Sequence, residues 1–332
     1  MLLFLASVLE QMDLALEHVS KADVHNARFG VMLTDNALEL ILHQIAKDQA
    51  AESKSYSYRR ETYQHQAALD KALGRVFGDK ISFARLTGKM TNEVAQTAVI
   101  MHGVRNEVYH IGLQHEAILP ALAVFYFDVV CGFLKDYKPP YFGWGSNESL
   151  PERSRKYFSG HRTFPGRIED FPNGCLALSR ACVHDSSVTI AALADHMDQI
   201  IEEQDTCVGI IAEGAYAHQR TTRDKAVIDC QAWPLAFSEE GLAFAKERKF
   251  MGNRLELIDW LGENYPLRFR GDPIERWRKR AGKLRNENNS HAALRHYKTF
   301  MTETESLREA ALESAAACER EIDSAIDRAR GK

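Results

Sequence analysis

Arg105-Asn106-Glu107-Val108-Tyr109-His110 places a guanidinium and an imidazole five residues apart, between two strongly apolar stretches of helical character. A histidine with an ordinary pKa of about 6.5 can take or give a proton near neutral pH. A permanently charged arginine can stabilise the oxygens of a phosphodiester as it becomes phosphorane-like. Together the two can do phosphate chemistry without a metal. On a helix of about 100° per residue, Asn106 and His110 lie roughly 40° apart and can share a face, whereas Arg105 sits about 140° from His110 and reaches the same phosphate by bending its long side chain. Asn106 is then free to orient the imidazole. The competing reading makes Arg105 and His110 surface groups paired with Glu107 or Glu116.

Arginine followed by histidine at similar spacing recurs at Arg60/His65, Arg155/His161 and Arg285/His291, but among these pairs only Arg105 and Arg285 are followed directly by asparagine. The second candidate, Arg285, Asn286 and His291, has one more residue inside it, and its extra asparagines and serine lower helix propensity, so a capped loop competes with a second motif there. It sits in the one dense positive cluster of the sequence: Arg276, Trp277, Arg278, Lys279 and Arg280, then Lys283, Arg285, Arg295, His296 and Lys298, with Tyr297 among them. Cations that neutralise phosphates beside aromatic faces that stack on bases suit single-stranded RNA. The alternative is a solvated helix face with Trp277 buried behind it.

Read as RNEVYH, the first stretch resembles the R-x4-6-H signature of HEPN domains, many of which are ribonucleases of toxin-antitoxin and antiviral systems. The resemblance covers roughly residues 1–135. It implies an RNA substrate, catalytic roles for Arg105, Asn106 and His110, no cofactor and no metal, and products ending in a 2′,3′-cyclic phosphate or 3′-phosphate. It also implies a homodimer in which two motifs face each other across a cleft. If the second motif is functional, the chain is instead two diverged HEPN-like bundles in tandem, and His110 and His291 meet within one chain. Some HEPN toxins carry a tyrosine two residues after the histidine, which a nucleotidyltransferase antitoxin modifies. This chain has Gly112 there, so that control does not carry over, while an antitoxin or other regulatory partner stays open. The rival from another class is a non-catalytic HEPN-like module that binds RNA, a nucleotide or a protein. A polar cleft shared by Arg105 and His110 marks the enzyme, and side chains on separate surfaces mark the module.

The elements that must position these residues read as helices throughout. Residues 3–19 and 36–49 show apolar positions at helical spacing, the second with a wide face of Ala37, Leu38, Leu40, Ile41, Leu42 and Ile45 and with Thr34 or Asp35 as its expected cap. Residues 91–102 lead into the motif and 116–135 form a mostly apolar helix after it. Prolines, glycines and aromatics between 136 and 174 predict a connecting segment that packs on its neighbours, and this is the expected domain boundary. Beyond it, helices are expected over 176–183, 188–203, 208–218 and 292–330. The fold class is therefore all-α: an N-terminal HEPN-like bundle over 1–135, then a mostly helical domain over 175–332.

With 332 residues the chain is long enough for two domains. A net charge of -4 and a pI near 6.4 argue against indiscriminate nucleic-acid binding, so any RNA contact must be local. Six scattered cysteines without a C-x-x-C pair read as reduced thiols in a cytoplasm. The apolar start lacks a basic n-region and keeps helical periodicity through Glu10, Asp13 and Glu17, which predicts a packed helix, and the run 118–134 is interrupted by Pro120 and Asp128. No export or membrane role is expected.

Overall fold

The computed structural model describes residues 1–58, 63–110, 116–145, 149–160 and 165–330, with the side chains of 55–58 and 108–110 outside that set. Among the described residues the secondary structure is helical, without a strand. The helices are α1 (Leu2–Val19), α2 (Val24–Tyr58), α3 (Gln66–Ala72), α4 (Phe77–Leu86), α5 (Asn92–His110), α6 (Leu119–Lys135), α7 (Asp170–Ala181), α8 (Ser186–Glu213), α9 (Arg223–Leu235), α10 (Glu239–Glu247), α11 (Arg254–Asn264), α12 (Ile274–Arg285) and α13 (Ser290–Ala329). The chain divides into two compact units, one of residues 1–193 with 287–295 and one of 194–286 with 296–332.

In the first unit the apolar start becomes α1, whose Leu2, Leu5, Val8, Leu9 and Met12 are buried against α2, α6 and α7. The run expected to stop short of a membrane span is α6, with Leu122, Phe125, Tyr126, Phe127 and Val130 in the core. No helix among the described residues is long and apolar enough to cross a membrane. The proline- and glycine-rich segment packs on α1: the Leu2 amide donates to the Gly143 carbonyl at 3.1 Å, the Tyr157 hydroxyl donates to Asp13 at 2.5 Å, and Phe158 and Phe171 are buried. The division between units accordingly falls within α8 and not at 136–174, because that segment has no core of its own.

α2 differs from its expected bounds in an instructive way. It runs for 35 residues from Val24, so Thr34 and Asp35 lie in mid-helix, fully buried, instead of capping a helix at 36. Asp35 falls on the buried stripe Ala27, Val31, Leu38 and Leu42, where partners on other helices satisfy its carboxylate and remove its usual preference for a cap.

In the second unit, α8 is one helix where two were expected, since its polar middle contains neither proline nor a helix-ending glycine; it ends before Gly214, held at φ +66. Residues 223–264, for which no helix was expected, form three short ones. Thr222 caps α9, Ser238 caps α10, and Asn253 with Glu256 makes a reciprocal capping box on α11. Ala232, Ala236, Leu257, Ile258 and Leu261 form their common core. Trp277 of α12 is buried edge-on between Phe269 and Phe300.

Candidate functional site

Arg105 is held from two sides. Its Nη1 donates to the neighbouring Asn106 Oδ1 at 2.8 Å, and its Nε lies 3.7 Å from Asp35 Oδ2, an ion pair beyond hydrogen-bond length that leaves a buried N–H without an acceptor. The same Asp35 oxygen accepts from His102 Nδ1 at 2.8 Å, and Oδ1 accepts from the Tyr126 hydroxyl at 2.7 Å. Phe77 of α4 stacks on the His102 ring with centroids 3.9 Å apart and planes 5° from parallel. A fully buried carboxylate from α2 thus gathers one group from α6 and two from α5, the latter three residues apart and so one turn apart on one face. Burial and the Asp35 charge hold the Tyr126 hydroxyl far above its ordinary pKa, so it remains a donor.

The motif sits at the C-terminal end of α5, whose last residue is His110, so all six residues are helical. The side chain of His110 lies outside the described residues, and so does the question of a cleft shared with Arg105. Glu116, one of the partners considered for the motif, pairs with Arg28 at 2.8 Å. A cleft of about 300 Å³ in this unit is lined by residues including Asp48, Glu52, Tyr137, Lys89 and Lys138, and its lining includes neither Arg105 nor His102.

The second RN-and-H arrangement is built differently. Arg285 ends α12 and is drawn to Asp195 and Asp198, each at 2.7 Å. Asn286 turns back to the Gly282 carbonyl, and Asn289 accepts from the amides of His291 and Ala292, which caps α13. This is the capped loop weighed as the alternative to a motif. His291 bonds Thr97 at 2.7 Å and meets Phe125 edge-on, and burial lowers its pKa.

The basic cluster is largely neutralised within its own unit. Arg278 contacts Glu202, Asp205 and Glu275, and Arg280 contacts Glu303 while covering Phe300. Arg276 lies over Phe269, and Lys279 is exposed. Trp277 and Tyr297 are both buried, so neither aromatic offers a face to a base.

Cations without carboxylate partners occur elsewhere in that unit. Lys246, Lys249 and Arg254 line a cleft of about 600 Å³ between α10 and α11, over Leu242, Phe250 and Leu257, with no acidic residue in its lining. Among the described residues none of the three is within ion-pair distance of a carboxylate. Arg254 also covers Phe237, which contacts Trp233, and both rings are about half exposed. Lys249 adopts φ +56, a conformation usually left to glycine or asparagine.

Other chemistry is less well served. All six cysteines are free, and burial pushes the thiols of Cys182 and Cys230 up to about 11 and about 12, far from reactive thiolates at neutral pH. Among the described residues no group of three or more His, Cys, Asp or Glu side chains is arranged to hold a metal ion. Compared with protein-family models, with curated proteins and with solved structures, the chain shows no match.

Asp35 was read from the sequence only as a candidate helix cap, and His102 and Tyr126 were not singled out as site residues. One signal was available for Asp35: a carboxylate at the i, i+3, i+4 positions of an otherwise apolar stripe needs a partner inside the core.

Proposed function

We propose that the chain is a metal-independent endoribonuclease of the HEPN type that cleaves RNA by attack of the 2′-hydroxyl on the adjacent phosphate, with Arg105 stabilising the phosphorane and His110 transferring a proton. One observation supports the reading above the others. Arg105, on the helix that carries RNEVYH, is held at its base by the buried carboxylate of Asp35 on α2, as a phosphate-binding guanidinium must be if it is to meet the transition state already positioned. Asn106 braces the same guanidinium through Nη1, a different role from orienting the imidazole. RNA phosphates contact Lys246, Lys249 and Arg254, whose charges are free, more than the paired arginines of 276–280. A toxin or phage-defence effector is the biological setting that the HEPN resemblance suggests. Homodimerisation and control by an antitoxin or regulatory partner belong to the same proposal.

The test is incubation with total RNA in EDTA. Wild type yields fragments ending in 2′,3′-cyclic phosphate. His110→Ala slows this by about 10²- to 10⁴-fold with helix content unchanged, and Arg105→Lys is also impaired because it keeps the charge but not the planar fork. Cleavage that stops on chelation and returns with magnesium rules the mechanism out. Intact RNA with wild type leaves the non-catalytic binding module.

A further inference from the structure

Single-stranded nucleic acid is held by cations that follow its backbone and by aromatic faces on which its bases stack. The second unit carries both on one surface, where α9 and α10 end and α11 begins. We propose that Trp233 and Phe237, together with Lys246, Lys249 and Arg254, capture the RNA as a single strand. The identity of the polymer rests on the ribonuclease reading, whereas the shape and charge of the surface do not.

The neighbouring aromatics Phe244, Phe250, Trp260 and Tyr265 pack on the common core of α9 to α11. Trp233 and Phe237 do not. They stand four residues apart at the end of α9, one turn along one face, with ring centroids 5.9 Å apart, and they remain 53% and 51% exposed. Met251 and Leu255 extend the same exposed apolar surface on the far side of Arg254. Two large rings left in water carry a hydration cost that a stacked base removes.

Arg254 joins the rings to the cations. Its guanidinium lies 4.8 Å from the Phe237 ring centroid, and the same side chain lines the cleft with Lys246 and Lys249. A phosphate on Arg254 therefore sits beside Phe237, and the strand continues into the cleft while its bases turn to the rings. Glu256 lies beside Gly252, but its carboxylate accepts from the Asn253 amide at 2.9 Å within the α11 cap. Lys249 closes α10 in a left-handed conformation: its amide donates to the Lys246 carbonyl at 3.1 Å, the Phe250 amide donates to the Ala245 carbonyl at 2.9 Å, and φ is +56. Glycine holds such a position at lower cost, so the lysine gives up stability and sets a charge in the cleft lining. The cleft is a concavity of about 600 Å³, which phosphates and riboses enter and a flat layer of lipid headgroups does not. A duplex keeps its base faces inside its own stack, so the rings select a single strand.

The probe is a fluorescein-labelled 2′-deoxy oligonucleotide of about 12 nucleotides, which transesterification cannot cut, titrated with the full chain and read by anisotropy. Trp233→Ala should weaken binding by about 5- to 150-fold, and Trp233→Tyr should restore it to within about threefold of wild type. Lys249→Gly should raise the urea midpoint and yet make the log–log salt dependence of binding shallower by about 0.7. Tryptophan fluorescence should fall as the oligonucleotide saturates wild type. Most of that fall should be missing in Trp233→Tyr, because Trp277 is buried and Trp260 packs on the core. Unchanged affinity in Trp233→Ala, an unchanged fluorescence loss in Trp233→Tyr, or equally tight binding of a duplex of the same sequence overturns the proposal. So does a wild type that ignores the oligonucleotide and sediments with phosphatidylserine vesicles. Binding through Trp233 with RNA left uncut defeats the ribonuclease reading alone. RNA cleavage whose KM is unchanged in Trp233→Ala defeats this surface alone.

Discussion

Replacing Tyr126 by phenylalanine removes one oxygen and no packing volume. The ring is fully buried, and its hydroxyl donates at 2.7 Å to an Asp35 oxygen with no access to water. A hydrogen bond to a buried charged group contributes about 1.5–3 kcal/mol, and the orphaned carboxylate oxygen finds no substitute partner, so Tyr126→Phe should destabilise by about 2 kcal/mol. Tyr137→Phe is the control. Its hydroxyl also meets a carboxylate, Asp48 at 2.6 Å, but Asp48 is only partly buried, keeps a bond from Gln44 and lines a cleft that water can enter. About 1 kcal/mol or less is expected there. Asp35→Asn leaves the Arg105 charge without its counter-ion and should cost about 3 kcal/mol. Because Tyr126 and Asp35 share one interaction, the double substitution should fall short of additivity by at least about 1 kcal/mol. Urea unfolding followed by far-UV circular dichroism, with unchanged slopes as the check on comparability, reads all four variants. Equal losses at Tyr126 and Tyr137, or an additive double variant, would refute the idea that Asp35 organises the cluster.

Two further expectations follow from charge. Changing Lys246, Lys249 and Arg254 together to alanine should make the dependence of single-stranded RNA affinity on salt shallower by about 2 in log–log slope, since each phosphate contact contributes about 0.7. Arg278→Ala with Arg280→Ala should leave that slope nearly unchanged, because carboxylates already neutralise both side chains, and the reverse pattern would return RNA binding to the 276–280 segment. Burial lowers the pKa of both His291 and His184, so the unfolded chain binds protons there more readily than the folded one. Their contribution is present above the ordinary histidine value of about 6.5 and is lost as pH falls from there toward the lower folded values. The urea midpoint should therefore drop between pH 8 and pH 5.5, less so in His291→Asn; an identical drop in that variant would remove His291 as a source.

Local patterning carried most of the secondary structure. Apolar residues at helical spacing marked α1, α6 and the centre of α2, and the strand-free composition matched the helices observed. The six residues of RNEVYH were legible because their spacing lies within one helix. Short helices such as α9 to α11 escaped notice because their caps were a stronger signal than their sparse apolar periodicity. The sequence alone could not assemble the site around Arg105. Asp35 is 67 residues from His102 and 91 from Tyr126, and nothing in either local pattern names the other. Taken singly, Asp35 reads as a helix cap, His102 as the end of a helix and Tyr126 as core. Only the packing of α2, α5 and α6 excludes water from the carboxylate, and that desolvation obliges it to bond the few donors within reach and so sets where Arg105 and His102 point.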